Sequence, residues 1–258
     1  MVLAATSRYE IAVKNLQQKI DVLISSSPTT FIFKVPPNLR QANSKDYEPE
    51  IIYVGPYHHG KEHLKEMEKL KLNYLESLLR REHPNKSNCL EGYVAACATE
   101  KGRFEASYAD GVVMSHDESL EMMVLDGCFV VELLRKFKNP ELIEVSDILF
   151  YDNVNLDNVT RDLLLFENQL PFWFLSMIFG LTKLPHEGEN DLGFMVIDFF
   201  RGITVLLQRT PTQQLLRQWS GSGRDQIVGS DLLGLLHGEV ANLRGNRFDP
   251  CVRGSLIK

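Results

Sequence analysis

The fold of this chain is decided by one stretch, Thr160-Arg-Asp-Leu-Leu-Leu-Phe-Glu-Asn-Gln-Leu-Pro-Phe-Trp-Phe-Leu-Ser-Met-Ile-Phe-Gly180. Nine of the twelve residues 170–181 have large apolar side chains, which cover almost every side and are typical of an interior helix. Pro171 divides the stretch, because proline loses a hydrogen bond inside a helix but fits a first turn. We therefore predict one helix that ends near residues 167–169 and a second that starts at residues 170–171. Trp173 is expected at the centre of the core.

Amphipathic helices are predicted on both sides of this stretch, because apolar residues recur there at three- and four-residue steps. The predicted helices are 8–24, 62–81, 88–108, 115–137, 192–208, 212–219 and 230–237. Helix 115–137 is apolar on most sides and should pair with the stretch above. We predict a mainly α-helical single domain with short extended segments near residues 29–55. The predicted organisation is an N-terminal helix in residues 1–28, a helical domain in residues 29–237 and a flexible tail in residues 238–258.

The net charge, the length of the apolar runs and the cysteine pattern argue against several classes of protein. A net charge of −6 over 258 residues offers no basic field to a phosphate backbone, so we expect no nucleic-acid partner. The longest uncharged apolar run is shorter than the roughly 20 residues that a membrane span needs, so no integral span is expected. The start of the chain does not resemble a signal peptide. The four cysteines form no C-x-x-C pair. We expect an intracellular protein, cytoplasmic or peripheral to a membrane.

One histidine cluster could bind a metal. His59 and His63 are four residues apart, His58 precedes them and carboxylates follow, so imidazoles could share a helix face as zinc ligands require. The order differs from the H-E-x-x-H motif. The same residues could instead form a polar start of a helix, with imidazoles that bond nearby backbone groups. We predict this second arrangement. A metal-assisted hydrolase built on this cluster remains the alternative function.

Five polar residues interrupt apolar surroundings and are candidates for a structural polar core. They are Asp126, Glu132, Glu167, Asn168 and Gln169. Carboxylates in a dry setting can perform acid–base chemistry, but a buried carboxylate more often bonds backbone or an arginine. The arginines considered as partners are Arg103, Arg135 and Arg161. No nucleophile elbow, Walker or dinucleotide motif occurs, so the residues predict no catalytic site and no cofactor.

Four blocks, in order along residues 30–237, resemble the plant family called domain of unknown function 247, also known as the UPF-type 0481 proteins. They are I-Y-V-G-P-Y-H-H-G at 52–60, E-x-x-R at 100–103, L-D-G-C-F-V-V-E-L-L at 125–134 and R-D-L-L-L-F-E-N-Q-L-P-F at 161–172. Shorter similarities lie at 33–36, 67–71 and 231–237. The G-P-Y-H-H-G and E-N-Q-L-P-F motifs are specific when found together.

The resemblance implies a mostly helical plant protein without an established catalytic activity. Family members are usually longer and carry a membrane anchor near the C-terminus, and some are implicated in self-incompatibility in grasses. The family has no agreed active site, so no functional residue is carried over. We therefore expect a non-enzymatic recognition or signalling protein with a protein partner. Because the chain is shorter than its relatives, we also expect apolar faces on helices 192–208 and 230–237 to promote self-association.

Overall fold

The structure is a computed structural model that describes residues 2–25, 31–42, 44–81, 89–151, 153–188 and 191–206. These residues form nine α-helices and contain no strand beyond isolated bridges such as that between Ile32 and Tyr108. The mainly α-helical fold class is confirmed. The helices are α1 (Val2–Ser25), α2 (Pro37–Ala42), α3 (Glu66–Arg80), α4 (Leu90–Ala106), α5 (His116–Lys138), α6 (Ile148–Tyr151), α7 (Asn153–Leu163), α8 (Phe172–Leu181) and α9 (Asp191–Leu206).

Short 3-10 turns and local caps set the boundaries of several helices. Ser44–Tyr47 and Glu62–Leu64 are 3-10 turns, so the middle of the predicted extended region is partly helical and α3 begins later than expected. Ser115 and Glu118 form a capping box at the start of α5, with a 3.2 Å bond from the Glu118 N–H to the Ser115 hydroxyl. The predicted helices 212–219 and 230–237 and the predicted tail lie outside the described residues.

Within residues 160–180, the predicted start of α8 is correct and the predicted end of α7 is wrong. α8 starts directly after Pro171, as predicted. α7, however, ends at Leu163 and not near residues 167–169. The chain tightens there, because the N–H groups of Leu164 and Leu165 bond the carbonyls of Arg161 and Asp162 at 3.0 and 3.1 Å. Residues 164–171 are therefore not helical, and several of their side chains bond distant parts of the chain.

Helix α5 is the centre of the core. It contacts α3, α4, α8 and α9, so the predicted pairing with the 170–181 helix is confirmed. Its side chains are buried almost without interruption between Met122 and Lys136. Because α5 is covered on most sides, its few charged residues must find partners inside the protein.

The burial of Trp173 on α8 and of the apolar side chains on α9 differs from the sequence-based prediction. Trp173 is only half-buried, at the edge of α8, where the Arg103 guanidinium lies 3.9 Å from its ring centre. The neighbouring Phe174 is fully buried and takes the central place that the sequence assigned to Trp173. The prediction of an exposed apolar face on α9 is also wrong for the side chains that the structure describes. Most of the apolar ones are buried against α5 and α7: Leu192, Met195, Val196, Ile197, Phe199 and Phe200.

None of the described helices combines the length and the apolar character that crossing a bilayer requires. The longest is α1, whose described side chains include charged and polar residues on several sides.

A glycine lets α5 and α8 approach closely. A Cβ added to Gly127 would lie 2.9 Å from Cε1 of Phe174 and 3.0 Å from Cγ1 of Ile178. We expect Gly127→Ala to lower the free energy of unfolding by about 1–2 kcal/mol, because overpacking outweighs the gain in helix propensity. Gly102→Ala on α4 is the matched control, since nothing lies within 4 Å of its added Cβ. The control should stabilise by about 0.5–1 kcal/mol in urea unfolding. Equal shifts for both variants would contradict the close approach.

Candidate functional site

Two of the motif blocks, 125–134 and 161–172, meet around one non-helical stretch, residues 48–57, which we call the extended segment. Its residues Ile52, Tyr53 and Val54 are buried, yet no strand runs beside them among the described residues. Buried backbone N–H groups need acceptors, which a sheet would ordinarily provide. In this protein, side chains from the motif blocks take that place.

Asp162, at the end of α7, accepts three consecutive backbone N–H groups of the extended segment. Its carboxylate bonds Glu50 at 3.0 Å, Ile51 at 2.7 Å and Ile52 at 3.0 Å. The neighbouring Arg161 guanidinium lies 2.9 Å from the same carboxylate and donates to the Glu48 carbonyl at 3.4 Å. Burial raises the pKa of the Asp162 carboxyl, although the three N–H bonds and Arg161 lower it. The chain bends at residues 50 and 51, so three N–H groups that would alternate in a strand converge on one carboxylate.

Asn168 continues this pattern with an amide. Its Oδ1 accepts the N–H of Val54 at 2.7 Å, and its Nδ2 donates to the carbonyl of Ile52 at 3.0 Å. An amide that pairs with both groups of a backbone mimics one rung of a sheet ladder. Gln169 faces the other way, since its Nε2 donates to the carbonyls of Leu163 and Leu165 at 2.7 and 2.9 Å. These bonds satisfy carbonyls where α7 stops.

Asp126 of α5 holds the far end of the extended segment. Its carboxylate accepts the N–H of Gly55 at 2.8 Å and the Nζ of Lys71 at 2.6 Å. Lys71 is fully buried, lies 2.6 Å from Glu68 and faces the ring of Tyr53 at 3.7 Å. Burial raises the pKa of the Asp126 carboxyl, against the opposing effect of Lys71. Gly55 has φ of +75°, and a Cβ there would lie 2.8 Å from the Gln169 carbonyl oxygen.

Glu167 and Glu48 form a charged cluster around His58. Glu167 accepts the Val35 N–H at 2.5 Å and pairs with Arg40, while Glu48 pairs with Arg40 and Lys61. The His58 ring lies between the two carboxylates, with Nδ1 3.7 Å from Glu48 and Nε2 3.6 Å from Glu167. Neither ring nitrogen has a hydrogen-bond partner among the described residues. Burial, assisted by Lys61, lowers the pKa of His58 to about 4, so its imidazole is neutral at pH 7.

The three predicted candidate metal ligands do not converge. His58 is buried, whereas His63 is exposed and lies 3.4 Å from the Pro49 carbonyl. His59 packs edge-on against Tyr53 and lies 3.3 Å from Glu118. Within the described ranges, no group of three His, Cys, Asp or Glu side chains stands close enough to hold a metal ion.

Glu132 is a second buried carboxylate of α5. It accepts from Arg81 at 2.8 Å and from Arg135 at 3.3 Å, and Arg135 also pairs with Glu187 at 2.7 Å. Of the three arginines considered from the sequence, only Arg135 contacts one of the five polar candidates. Arg103 lies over Trp173, and Arg161 serves Asp162 and the backbone.

Several partners in this network escaped the sequence analysis, and one left a detectable signal. Lys71 follows Met67 by four residues and precedes Tyr74 by three, so it occupies the apolar stripe of α3. A lysine in such a stripe requires a buried carboxylate, which is Asp126. Asp162 and Arg40 gave no comparable signal, because their roles depend on contacts with distant parts of the chain.

The geometry limits the chemistry that these residues can perform. The five polar candidates bond backbone groups or charged side chains of the described residues, whereas a catalytic group must also reach a substrate. A cavity of about 420 Å³ lies between the end of α5 and the start of α9, lined in part by Lys138, His186, Asp191 and Asp198. None of the five polar candidates lines it.

Comparisons with known proteins identify the family of this chain. Residues 32–243 match the model of the family described as DUF247, plant protein of unknown function. The chain is 32% identical over 172 residues to the Arabidopsis thaliana UPF0481 protein At3g47200, which covers 66% of this chain and 35% of that protein. It is 25% identical over 212 residues to the Arabidopsis thaliana putative UPF0481 protein At3g02645, covering 79% of this chain and 38% of that one. The chain thus spans little more than a third of these relatives. No solved structure matches.

Proposed function

Because this chain belongs to the DUF247 family of plant proteins of unknown function, we propose that it is a non-enzymatic recognition or signalling protein that acts through protein–protein contacts. Self-incompatibility is one process in which such a protein would serve. In this proposal residues 29–237 form the family domain and residues 1–28 form an appended contact helix. The observation that carries the proposal is the exposed apolar face of that helix.

Helix α1 presents a row of apolar side chains to solvent, which we call the α1 stripe. It consists of Tyr9, Val13, Leu16 and Ile20, whose exposed fractions are 72, 47, 59 and 46%. Every other side chain described between residues 9 and 21 is exposed as well, so this part of α1 does not pack on the described body. Contiguous exposed apolar surface of this kind marks sites of protein interaction.

The buried polar residues also support the proposal, because their carboxylates are engaged within the fold. Asp126, Glu132 and Asp162 bond to backbone or buried cations, so the carboxylates of the motif blocks serve the fold. The histidines of the alternative hydrolase point to separate partners. No observation on the described residues favours that alternative. Stoichiometric zinc in the purified chain would contradict the non-enzymatic proposal.

Affinity capture from pollen and stigma extracts tests the proposal. We expect the parent chain to retain a reproducible set of plant proteins. Retention should fall at least about tenfold for the double variant Val13→Glu with Ile20→Glu, because charges replace apolar contacts in the α1 stripe. Asn15→Glu with Gln18→Glu is the matched control, since it adds the same charge to exposed positions of α1 outside the stripe. Equal retention by both double variants would contradict a role for the stripe, and no reproducible retention would contradict the proposal.

A further inference from the structure

The α1 stripe follows a seven-residue repeat, and Ile11, which is also exposed, lies outside it. Tyr9, Val13, Leu16 and Ile20 are separated by four, three and four residues, and Leu23 continues the sequence pattern with a further step of three. Steps that alternate between three and four place apolar residues at positions a and d of a heptad. Val13 and Ile20 occupy position a, and Tyr9 and Leu16 occupy position d.

From this pattern we infer that α1 pairs with α1 of a second copy of this chain as a parallel, in-register, two-stranded coiled coil. The inference rests on the proposed function and deepens it: the partner of the stripe is a second copy, and retention of other plant proteins then depends on the stripe through the dimer. β-Branched residues at a with Leu at d favour two parallel strands over higher assemblies. Val13 and Ile20 are β-branched, and Leu16 and Leu23 are leucines at d.

Helix α1 also needs a partner for its own stability. It has 24 residues, or about 36 Å of helix, and its side chains described between residues 9 and 21 are all exposed. Most helical stability in proteins comes from packing of an apolar face, and isolated helices gain little in water. The match to the family starts at residue 32, so α1 precedes the part of the chain that the family model describes. Packing between two α1 helices supplies the missing contacts.

The charges of α1 permit a second copy to approach. The helix carries three basic residues, Arg8, Lys14 and Lys19, and two acidic residues, Glu10 and Asp21, so it is nearly neutral in a chain of net charge −6. In a parallel pair, position g of one helix faces position e of the next heptad in the other. This places Ala5 opposite Glu10, Ala12 opposite Gln17 and Lys19 opposite Ile24, so no like charges face each other.

Size-exclusion chromatography with light scattering of the full 258-residue chain tests the pairing. We expect a species of twice the 29.5 kDa chain mass that dissociates on dilution. Val13→Glu with Ile20→Glu should weaken association at least about 100-fold, because each dimer then holds four charges at core positions. Asn15→Glu with Gln18→Glu should leave the dimer intact. A parent chain that is monomeric at all concentrations, or a dimer that the stripe variant leaves unchanged, would overturn the inference.

Cysteine cross-linking tests the orientation and does not depend on the charged variant. Tyr9 and Ile20 lie about 16 Å apart along the helix axis. In a parallel, in-register pair, Tyr9→Cys and Ile20→Cys should each form a disulfide with its own copy under mild oxidation. An antiparallel pair can bring at most one of the two close to itself, so cross-linking at one position alone would overturn the parallel arrangement. Gln18→Cys, outside the stripe, and the parent chain measure the background from the native cysteines.

The two proposals fail in different ways. A monomeric parent chain whose retention of plant proteins still depends on the α1 stripe would overturn the dimer and leave the proposed function standing. A stripe-dependent dimer that retains no plant protein would overturn recognition of other proteins and leave the pairing standing.

Discussion

Asp126→Ala should lower the free energy of unfolding by about 3–5 kcal/mol, the range for removing one partner of a buried ion pair. Asp126 and Lys71 are each buried, and their charged atoms lie 2.6 Å apart. The variant leaves the Lys71 ammonium with Glu68 as its remaining carboxylate and leaves the Gly55 N–H without its acceptor. Urea unfolding followed by circular dichroism measures the loss.

A double-mutant cycle separates the ion pair from the backbone bond. Lys71→Met should also destabilise strongly, because the Asp126 carboxylate then remains buried with only the Gly55 N–H. In the cycle of Asp126→Asn, Lys71→Met and their double variant, the double variant should cost clearly less than the sum of the two single losses, since the amide still accepts from Gly55 and no charge of the pair remains. Strictly additive losses would show that the two residues do not interact in solution.

Asp162→Ala should cost about 3–5 kcal/mol, because it removes the acceptor of three consecutive N–H groups. Each buried group left without a partner costs about 1–3 kcal/mol. Asp162→Asn retains one acceptor oxygen and should cost about half as much. Asp157→Ala, five residues earlier on α7, removes a carboxyl outside the network and should change stability by less than about 0.5 kcal/mol.

Hydrogen exchange locates the effect of Asp162→Ala. We expect exchange of the Ile51 and Ile52 amides to accelerate well before that of the α5 amides, because the lost bonds belong to the extended segment. A loss of less than about 1 kcal/mol with unchanged exchange at those amides would show that another group replaces the carboxylate.

The sequence predicts those parts of the fold that depend on local periodicity. Helices α3, α5 and α8 follow from apolar spacing and from caps such as Ser115, because both act between residues a few positions apart. The end of α7 could not be predicted this way. Residues 167–169 fit a helix locally, but their side chains bond the extended segment, residues near Val35 and the end of α7. Contacts across the fold override local preference at this point.

The candidate site shows the same division. Asp126 and Glu132 stand out in an apolar helix, so a need for buried partners is visible in the sequence. The identity of those partners is not visible, because Lys71 lies on α3 and Arg81 directly after it, each more than 50 residues away from its partner. The central place of Phe174 and the edge position of Trp173 likewise depend on how α4 and α8 pack. Two neighbouring aromatic residues give no local sign of which one faces inward.

The extended segment has a consequence for how this protein is made. Its acceptors, Asp162 and Asn168, lie more than 100 residues further along the chain. At a synthesis rate of about 5–20 residues per second, residues 48–57 leave the ribosome about 5–20 s before those acceptors exist. The apolar side chains of Ile52 and Val54 must wait through that interval without their native neighbours. We therefore expect early-forming helices, or chaperones, to protect this segment from aggregation until Asp162 and Asn168 have been synthesised.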